Sequence, residues 1–292
     1  MSVLVYTENW QGNFKKLSFE LVSYAAALAR QLNSGVVALS IGEVSDEELG
    51  KLARFGVSRI ISVKHEALTH FDPQTYARVG GKIMEKENAH TLVMAHNNAG
   101  KALAPRLAVR LKASLASGVE VLPESTDPFV IRRRVYSGNA YARTVLNAPV
   151  RILSLAQNAF ETIEQAQNPE IELFKFEPEA TVKTRVLDTQ RQGGKLLLTD
   201  AEIVVSGGRG MKSPENWAPL EELAQLLGGA TACSRPVSDE GWRPHEEHTG
   251  QTGKVIAPNL YFAVGISGAT QHLAGIRSSK YIVAINTDKD AP

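Results

Sequence analysis

Ile203-Val-Val-Ser-Gly-Gly-Arg-Gly210 decides how this 292-residue chain is read. Its apolar start shows no alternation with polar residues, the pattern of a strand buried on both faces of a parallel sheet. The glycines after it demand a tight turn, and Arg209 puts a permanent cation in that turn. In open α/β sheets ligands sit beyond the carboxyl ends of strands, where glycine lets the backbone approach a phosphate. The stretch is neither a G-x-G-x-x-G fingerprint nor a P-loop, which ends in Gly-Lys-Ser/Thr. Taken alone, it reads as a plain structural turn or as a ligand turn.

Working outward, Ser213 and Pro214 open a helix carrying Trp217, Leu220, Leu223, Ala224 and Leu227 on one side, and Gly228-Gly229 closes it. Val255–Ala257 and Leu260–Val264 are strand candidates, Ser267–Ala274 a short helix and Lys280–Ile285 another strand. The pattern predicts a small doubly wound unit. Three further small-residue turns lie in it: Ser234-Arg235 after Thr231–Cys233, Gly250-Gln251-Thr252-Gly253, and Gly265 through Ala269, followed by Thr270-Gln271-His272. Four such turns, each beside an apolar strand, point to one site around an extended anionic ligand.

The side chains suit that reading. Arginine at 235 can pair with phosphate or lie against an aromatic ring. Hydroxyl and amide groups at 251 and 252 can bond the nitrogens and carbonyls of a heteroaromatic ring. A helix starting near Thr270 offers unpaired N–H groups, its positive dipole end and an imidazole. Ordinary alternatives stand beside each: a surface ion pair for Arg235, a simple turn at 250–253, a satisfied structural histidine at 272.

Upstream, Val3–Tyr6, Val36–Ile41, Arg59–Val63, Thr91–Ala95 and Gly118–Leu122 read as buried strands. Leu17, Leu21, Tyr24, Leu28 and Leu32 recur at helical spacing, as do Leu103, Leu107 and Leu111. Ser45 with Glu48 forms a capping-box pattern, and Asp72 precedes a proline at a first helical position. Strands separated by helices imply a parallel sheet covered on both faces. After Leu122, Phe129–Tyr136, Tyr141–Leu146 and Arg151–Leu155 read as an added antiparallel portion. Arg132-Arg133-Arg134 within it reads as a solvated strand face. Residues 161–199 are polar and too long for an ordinary connection within a domain. The expected domains are therefore 1–190, an α/β scaffold and docking domain, and 191–292, a ligand-binding domain.

A net charge of +1 gives no reason to expect nucleic acid or an anionic membrane as partner. No apolar run approaches the roughly 20 residues that span a bilayer. The start in a strand leaves no room for a leader peptide, so a cytoplasmic, bacterial setting is expected. Cys233, the single cysteine, excludes an internal disulfide and reads as an inert buried thiol. In His245-Glu-Glu-His248 the histidines stand three apart, not four as in the H-E-x-x-H zinc helix, and no metal is expected. His96-Asn-Asn-Ala-Gly100 follows a strand and could cradle a nucleotide, but no ligand is assigned to it.

From Ile203 onward the order and wording of these motifs closely resemble the flavin-binding domain of the electron transfer flavoprotein alpha subunit. Over the first domain the βα pattern and Leu4-Val-Tyr-Thr-Glu8 carry a looser resemblance. It implies a nucleotide-hydrolase-like parallel-sheet domain with added antiparallel strands, then a smaller doubly wound FAD-binding domain. It implies FAD bound by Arg209, Ser234, Arg235, Gly250, Gln251, Thr252, Ser267, Gly268, Ala269, Gln271, His272 and Asn286. In the family Arg235 lies near the flavin ring, the Thr252 hydroxyl meets its redox-active nitrogen, and His272 sits beside its pyrimidine edge. There a protonated imidazole would stabilise negative charge on the ring.

Asn286 corresponds to a residue near the adenosine half. The family has AMP in a beta subunit, not in this chain. Its members act as one-electron carriers rather than substrate-converting enzymes, between flavin dehydrogenases such as acyl-CoA dehydrogenases and a membrane quinone oxidoreductase. His248 stands where the family has a less polar residue, a small departure that would alter the loop's electrostatics; the departure expected to matter is that family members continue past Pro292. Alternative readings are a paralogue of nitrogen fixation or carnitine metabolism and a non-redox nucleotide-binding scaffold. A nicotinamide dehydrogenase would need the missing G-x-G-x-x-G.

Overall fold

A computed structural model describes residues 2–136, 139–178, 186–189 and 196–291. The chain divides into two compact units, residues 1–189 and 190–292. In the first, β1 (Ser2–Tyr6) is followed by a small hairpin of β2 (Asn9–Trp10) and β3 (Asn13–Phe14), then α1 (Lys16–Gln31), β4 (Gly35–Ile41), α2 (Asp46–Gly50) and β5 (Arg59–Val63). Next come α3 (Pro73–Lys86), β6 (Thr91–Ala95), α4 (Asn98–Leu111) and β7 (Ser114–Val119). The unit ends with β8 (Ser125–Thr126), β9 (Phe129–Val135), β10 (Ala140–Val145), β11 (Arg151–Leu155) and β12 (Glu170–Leu173).

Among the described residues, seven strands form one parallel sheet in the order β12-β5-β4-β1-β6-β11-β7. Both of its faces are apolar, and β1 shows why its run lacks alternation. Val3 and Val5 pack with Leu21, Tyr24 and Leu28 of α1. Leu4 and Tyr6 pack on the other face with Tyr76, Val79 and Ile83 of α3 and Leu103 and Leu107 of α4. The expected caps are present: Ser45 accepts from the Glu48 N–H at 3.2 Å, and Asp72 from the Thr75 N–H at 2.7 Å.

Three expectations change. The strand placed at Gly118–Leu122 starts at Ser114 and ends at Val119; Gly118 takes φ +66°, and the pairing of β11 with β7 slips between Ser154 and Leu155. Arg151–Leu155 belongs to the parallel sheet, between β6 and β7, and not to the antiparallel portion. Four of its five residues are buried, the mark of a strand covered on both faces. The antiparallel sheet is β8, β9 and β10, where Arg132 and Arg134 face glutamates Glu124 and Glu120 at 3.9 and 2.9 Å.

The polar tract after Glu161 is not all linker. Glu170–Leu173 pairs with β5 as an edge strand, and Glu172 forms ion pairs with Lys86 and Arg59. An edge strand carries charge where a central one cannot, so composition hid it.

In the second unit β13 (Ile203–Gly207) leads through a 3-10 turn at Pro214–Trp217 into α5 (Ala218–Leu226). Then come β14 (Ala230–Cys233), α6 (Arg235–Asp239), β15 (Leu260–Val264), α7 (Thr270–Ile276) and β16 (Tyr281–Ile285). The four strands are parallel in the order β14-β13-β15-β16. Chain order reverses between β13 and β15, which makes their carboxyl ends the switch point where α/β sheets bind ligands. Trp217, Leu220, Cys233 and Val237 pack with Val205 on one side; Tyr261, Ala263, Ile256 and Ile276 pack with Val204 on the other.

Val255–Ala257 is not a strand: it runs along α7, with the Ile256 N–H donating to the Gly275 carbonyl at 2.8 Å. The short helix expected from Ser267 begins only at Thr270, because Gly265 and Gly268 take φ +62° and +73°. No described helix is long and apolar enough to cross a membrane.

Candidate functional site

The loops beyond β13, β14 and β15 are stitched into one crest. The Gly208 and Gly210 N–H groups donate to the Val264 and Gly265 carbonyls at 2.8 and 2.9 Å. The Ser234 N–H donates to Gly207, and the Thr249 N–H to Cys233. The Gln251 N–H donates to the Gln271 carbonyl at 2.7 Å, tying the 250–253 turn to α7. Glycine is compulsory at these crossings. A Cβ on Gly208 would stand 2.2 Å from the Gly265 oxygen, and one on Gly275 would stand 2.4 Å from the Gly250 nitrogen. The four turns named from sequence thus share one end of one sheet.

Within this crest the side chains divide. Arg209 lies in a 3-10 turn, 69% exposed, 3.8 Å from the Glu240 carboxylate. Arg235 opens α6, 63% exposed, 3.2 Å from Asp239. Their partners are consecutive residues, so both guanidinium groups gather over the end of α6. Exposed pairs of this kind hold by about 1 kcal/mol or less, and an anionic ligand displaces them at small cost.

Gln251, Thr252, Ser267, Ala269 and Gln271 are exposed, whereas Ser234 and Gly268 are buried. Gly250 takes φ +148° at the start of its turn. Asn286 is spent on the protein: its amide donates to the Ile266 carbonyl at 3.0 Å, and its oxygen accepts from the Asp288 N–H. It pins the loop after β15 rather than offering a free group.

His272 departs from expectation. Its ring is 7% exposed and Nε2 lies 2.9 Å from the Tyr261 hydroxyl. Burial lowers its pKa to about 4; the nearby Thr249 main chain opposes the shift, and His248 adds to it. The imidazole expected to be protonated is therefore neutral at neutral pH in this chain. The Thr249 main chain is close without completing a normal hydrogen bond, and Nδ1 is left without a partner.

His248 is likewise buried, at 3% exposure, with an unpartnered Nδ1. Burial, His245 and Arg235 depress its pKa, and Asp239 opposes them. A buried polar atom without a partner costs roughly 1–3 kcal/mol, and in this unit Ser206 Oγ and Trp217 Nε1 share that state with the two imidazoles. Loops locked together by glycine crossings at the switch point, with two exposed guanidinium groups gathered there, fit a bound dinucleotide.

Sequence reasoning missed two of these groups. Tyr261 was only part of an apolar strand, although period-2 alternation puts it on the same buried face as Ala263. His248 was weighed as half of a zinc-like pair and as a departure from the family pattern, not as a buried ring; it ends a 3-10 turn with its ring 5.5 Å from that of His245. Among the described residues no group of three or more His, Cys, Asp or Glu side chains could hold a metal ion. Cys233 is buried and its thiol is pushed up to about 12 by burial. In the first unit His96 bonds through Nδ1 to Ser154 Oγ at 2.9 Å, with its pKa lowered by burial and by Lys101 and Arg133.

Comparison with known proteins agrees with this geometry. Residues 3–179 match the family model of the electron transfer flavoprotein domain, and residues 197–277 that of the electron transfer flavoprotein FAD-binding domain. The chain is 32% identical over 291 residues to the electron transfer flavoprotein subunit alpha of Bacillus subtilis, covering 99% of this chain and 89% of the relative. It is 32% identical over 300 residues to the protein FixB of Clostridium saccharobutylicum, 99% and 88% covered. It is 31% identical over 296 residues to subunit LctC of the lactate dehydrogenase (NAD(+),ferredoxin) of Acetobacterium woodii, 99% and 71% covered.

Proposed function

The chain belongs to the electron transfer flavoprotein alpha-subunit family, and from that premise we propose that the crest of its second unit holds the FAD through which it carries single electrons. FAD, when bound, supplies the redox-active ring; the protein supplies binding, orientation and electrostatics. The observation that carries the reading is the convergence of the glycine turns with the exposed guanidinium groups of Arg209 and Arg235 at one switch point.

In this reading the residues divide the work. Arg209 and Arg235 exchange weak carboxylate partners for the ligand's negative charge. Gln251 and Thr252, exposed on a turn fixed by the Gln271 carbonyl, bond ring heteroatoms. With the Tyr261 O–H donating to Nε2, His272 carries its proton on Nδ1, the free nitrogen. Negative charge arriving beside it would draw a second proton onto the ring, so the depressed pKa is what makes His272 responsive to charge. Gly208, Gly210 and Gly265 let the loops after β13 and β15 cross in backbone contact, which fixes the floor of the site.

A beta subunit is proposed to complete the site and to hold AMP, with the first unit as its docking scaffold. Acyl-CoA or related flavin dehydrogenases are proposed donors, and a membrane quinone oxidoreductase the acceptor. The likeness to LctC and FixB supports the same site serving other donors. The deciding experiment is co-expression with a candidate beta subunit, an absorbance spectrum, and reductive titration against an acyl-CoA dehydrogenase. A complex that retains stoichiometric FAD reducible by that enzyme is expected. A stable complex without flavin would overturn the proposal.

A further inference from the structure

The ring of His248 packs against the Gly250–Gly253 turn. A Cβ on Gly250 would stand 3.5 Å from its Nε2, and one on Gly253 would stand 2.8 Å from its Nδ1. The same residue closes the turn through its main chain, because its carbonyl accepts from the Lys254 N–H at 2.9 Å. The Gly250 N–H in turn donates to Lys254, and the Gly253 N–H to Gly250. At Gly253 a Cβ is excluded by the His248 carbonyl oxygen at 2.5 Å and by this ring, while at Gly250, φ +148°, the ring is in ordinary contact and the Gln271 carbonyl oxygen is nearer, at 3.1 Å. The ring is 3% exposed, and no polar group satisfies its Nδ1.

We propose that His248 is a positioning residue: its neutral ring is the floor on which the Gly250–Gly253 turn is set, and its protonation loosens that turn and releases FAD. The proposal rests on the reading that this crest holds the flavin. Every neighbouring element bears on its charge. His245 faces it from the preceding 3-10 turn, Arg235 and Asp239 from α6, and His272 from α7. Cys233 on β14 is paired to it by a parallel bridge and carries a thiol too weak an acid to ionise near neutrality. Glu247, next in the chain, is committed to Arg243 by two hydrogen bonds of 2.8 Å. Burial above all, and then His245 and Arg235 against the opposing Asp239, disfavour a positive charge on the ring.

The test begins without flavin. Imidazole and amide resonances of the isolated chain are followed from pH 7.5 to 5, and FAD affinity is measured over the same range on the chain with its partner subunit. The amides of residues 250–253 are expected to titrate with the His248 ring. FAD affinity should fall with the same midpoint, at a slope no steeper than about tenfold per pH unit, the limit for one linked proton. His248→Gln should abolish both responses.

His245→Gln removes a neighbouring charge and should move the midpoint upward while keeping the slope, which serves if His248→Gln fails to fold. An unchanged slope in His248→Gln, or an unmoved midpoint in His245→Gln, overturns the proposal. If the amides titrate but no FAD binds at any pH, the positioning role stands and the flavin reading falls instead.

Discussion

Asn97 caps α4 and His272 lies in the first turn of α7, each on the segment that follows a strand of its parallel sheet, and the protein treats them in opposite ways. Asn97 is satisfied twice: its amide donates to Glu8 at 2.6 Å, and its oxygen accepts from the Gly100 N–H at 2.9 Å. Its neighbours are closed as well, with His96 on Ser154, Thr7 on the Leu39 carbonyl and Asn9 on the Ile41 carbonyl. At the carboxyl end of the four-stranded sheet, His248 and His272 keep free ring nitrogens, and the arginines hold only exposed partners. One topology thus carries a closed loop end at Asn97 and a looser one at His272, although Ser40 and Ser62, next to the ends of β4 and β5, also keep buried hydroxyls without a partner. Topology locates where a ligand could lie; polar satisfaction tells whether the place is used.

The largest effect is expected where the sealed sheet is tightest. A Cβ on Gly100 would fall 1.8 Å from the Ala95 carbonyl oxygen, a backbone contact that cannot give way. Gly100→Ala should destabilise the first unit by roughly 3–5 kcal/mol, at the severe end for a single substitution, read from the denaturant midpoint. A loss under about 1 kcal/mol would mean that this sheet end is looser than described.

The next effect belongs to the open sheet. His272 has its pKa lowered to about 4, against an ordinary imidazole value near 6.5. The unfolded chain then binds more protons than the folded one between those values. Stability from keeping the ring neutral is complete above about pH 6.5 and is lost as pH falls towards 4. The total is about 3 kcal/mol. His272→Gln should flatten that part of the stability–pH curve. Unfolding profiles that run parallel for the two proteins would show that the ring is not desolvated.

Third, Gly265→Ala should cost about 1–2 kcal/mol in stability, because the residue takes φ +62°. It should also weaken FAD binding by on the order of tenfold, because the new Cβ would press on the Gly210 backbone at 2.9 Å. Gly228→Ala is the matched control. It has the same φ of +62° but nothing within 4 Å, so it should share the stability cost and leave affinity alone. Equal affinity losses in both variants would remove the glycine crossing from the site.

These contrasts explain what could be read from sequence. The apolar strands and the caps at Ser45 and Asp72 are local, and they were legible. The place of β11 between β6 and β7 was not, since pairing is decided by non-local contacts, and a strand in either kind of sheet shows the same five residues. Glu170–Leu173 was hidden by the charge that an edge tolerates. In the site, glycines and arginines announced the turns. The Tyr261–His272 bond, the ring of His248 under Gly250 and Gly253, and the neutral state of His272 are consequences of burial, which no spacing encodes.

The smallest effect is the sharpest test of openness. Arg235 and Asp239 form an i, i+4 pair of exposed groups at 3.2 Å, worth well under 1 kcal/mol. Asp239→Ala should hardly change the unfolding midpoint. If Arg235 is held in reserve for the ligand, removing its carboxylate removes a competitor, and FAD affinity should hold or rise a fewfold, more at low salt than at high. Arg235→Ala should lower affinity and leave stability equally unmoved. If instead Asp239→Ala weakens FAD binding as much as Arg235→Ala does, the pair is a fixed part of the wall. The crest would then share, at that point, the closure seen around Asn97.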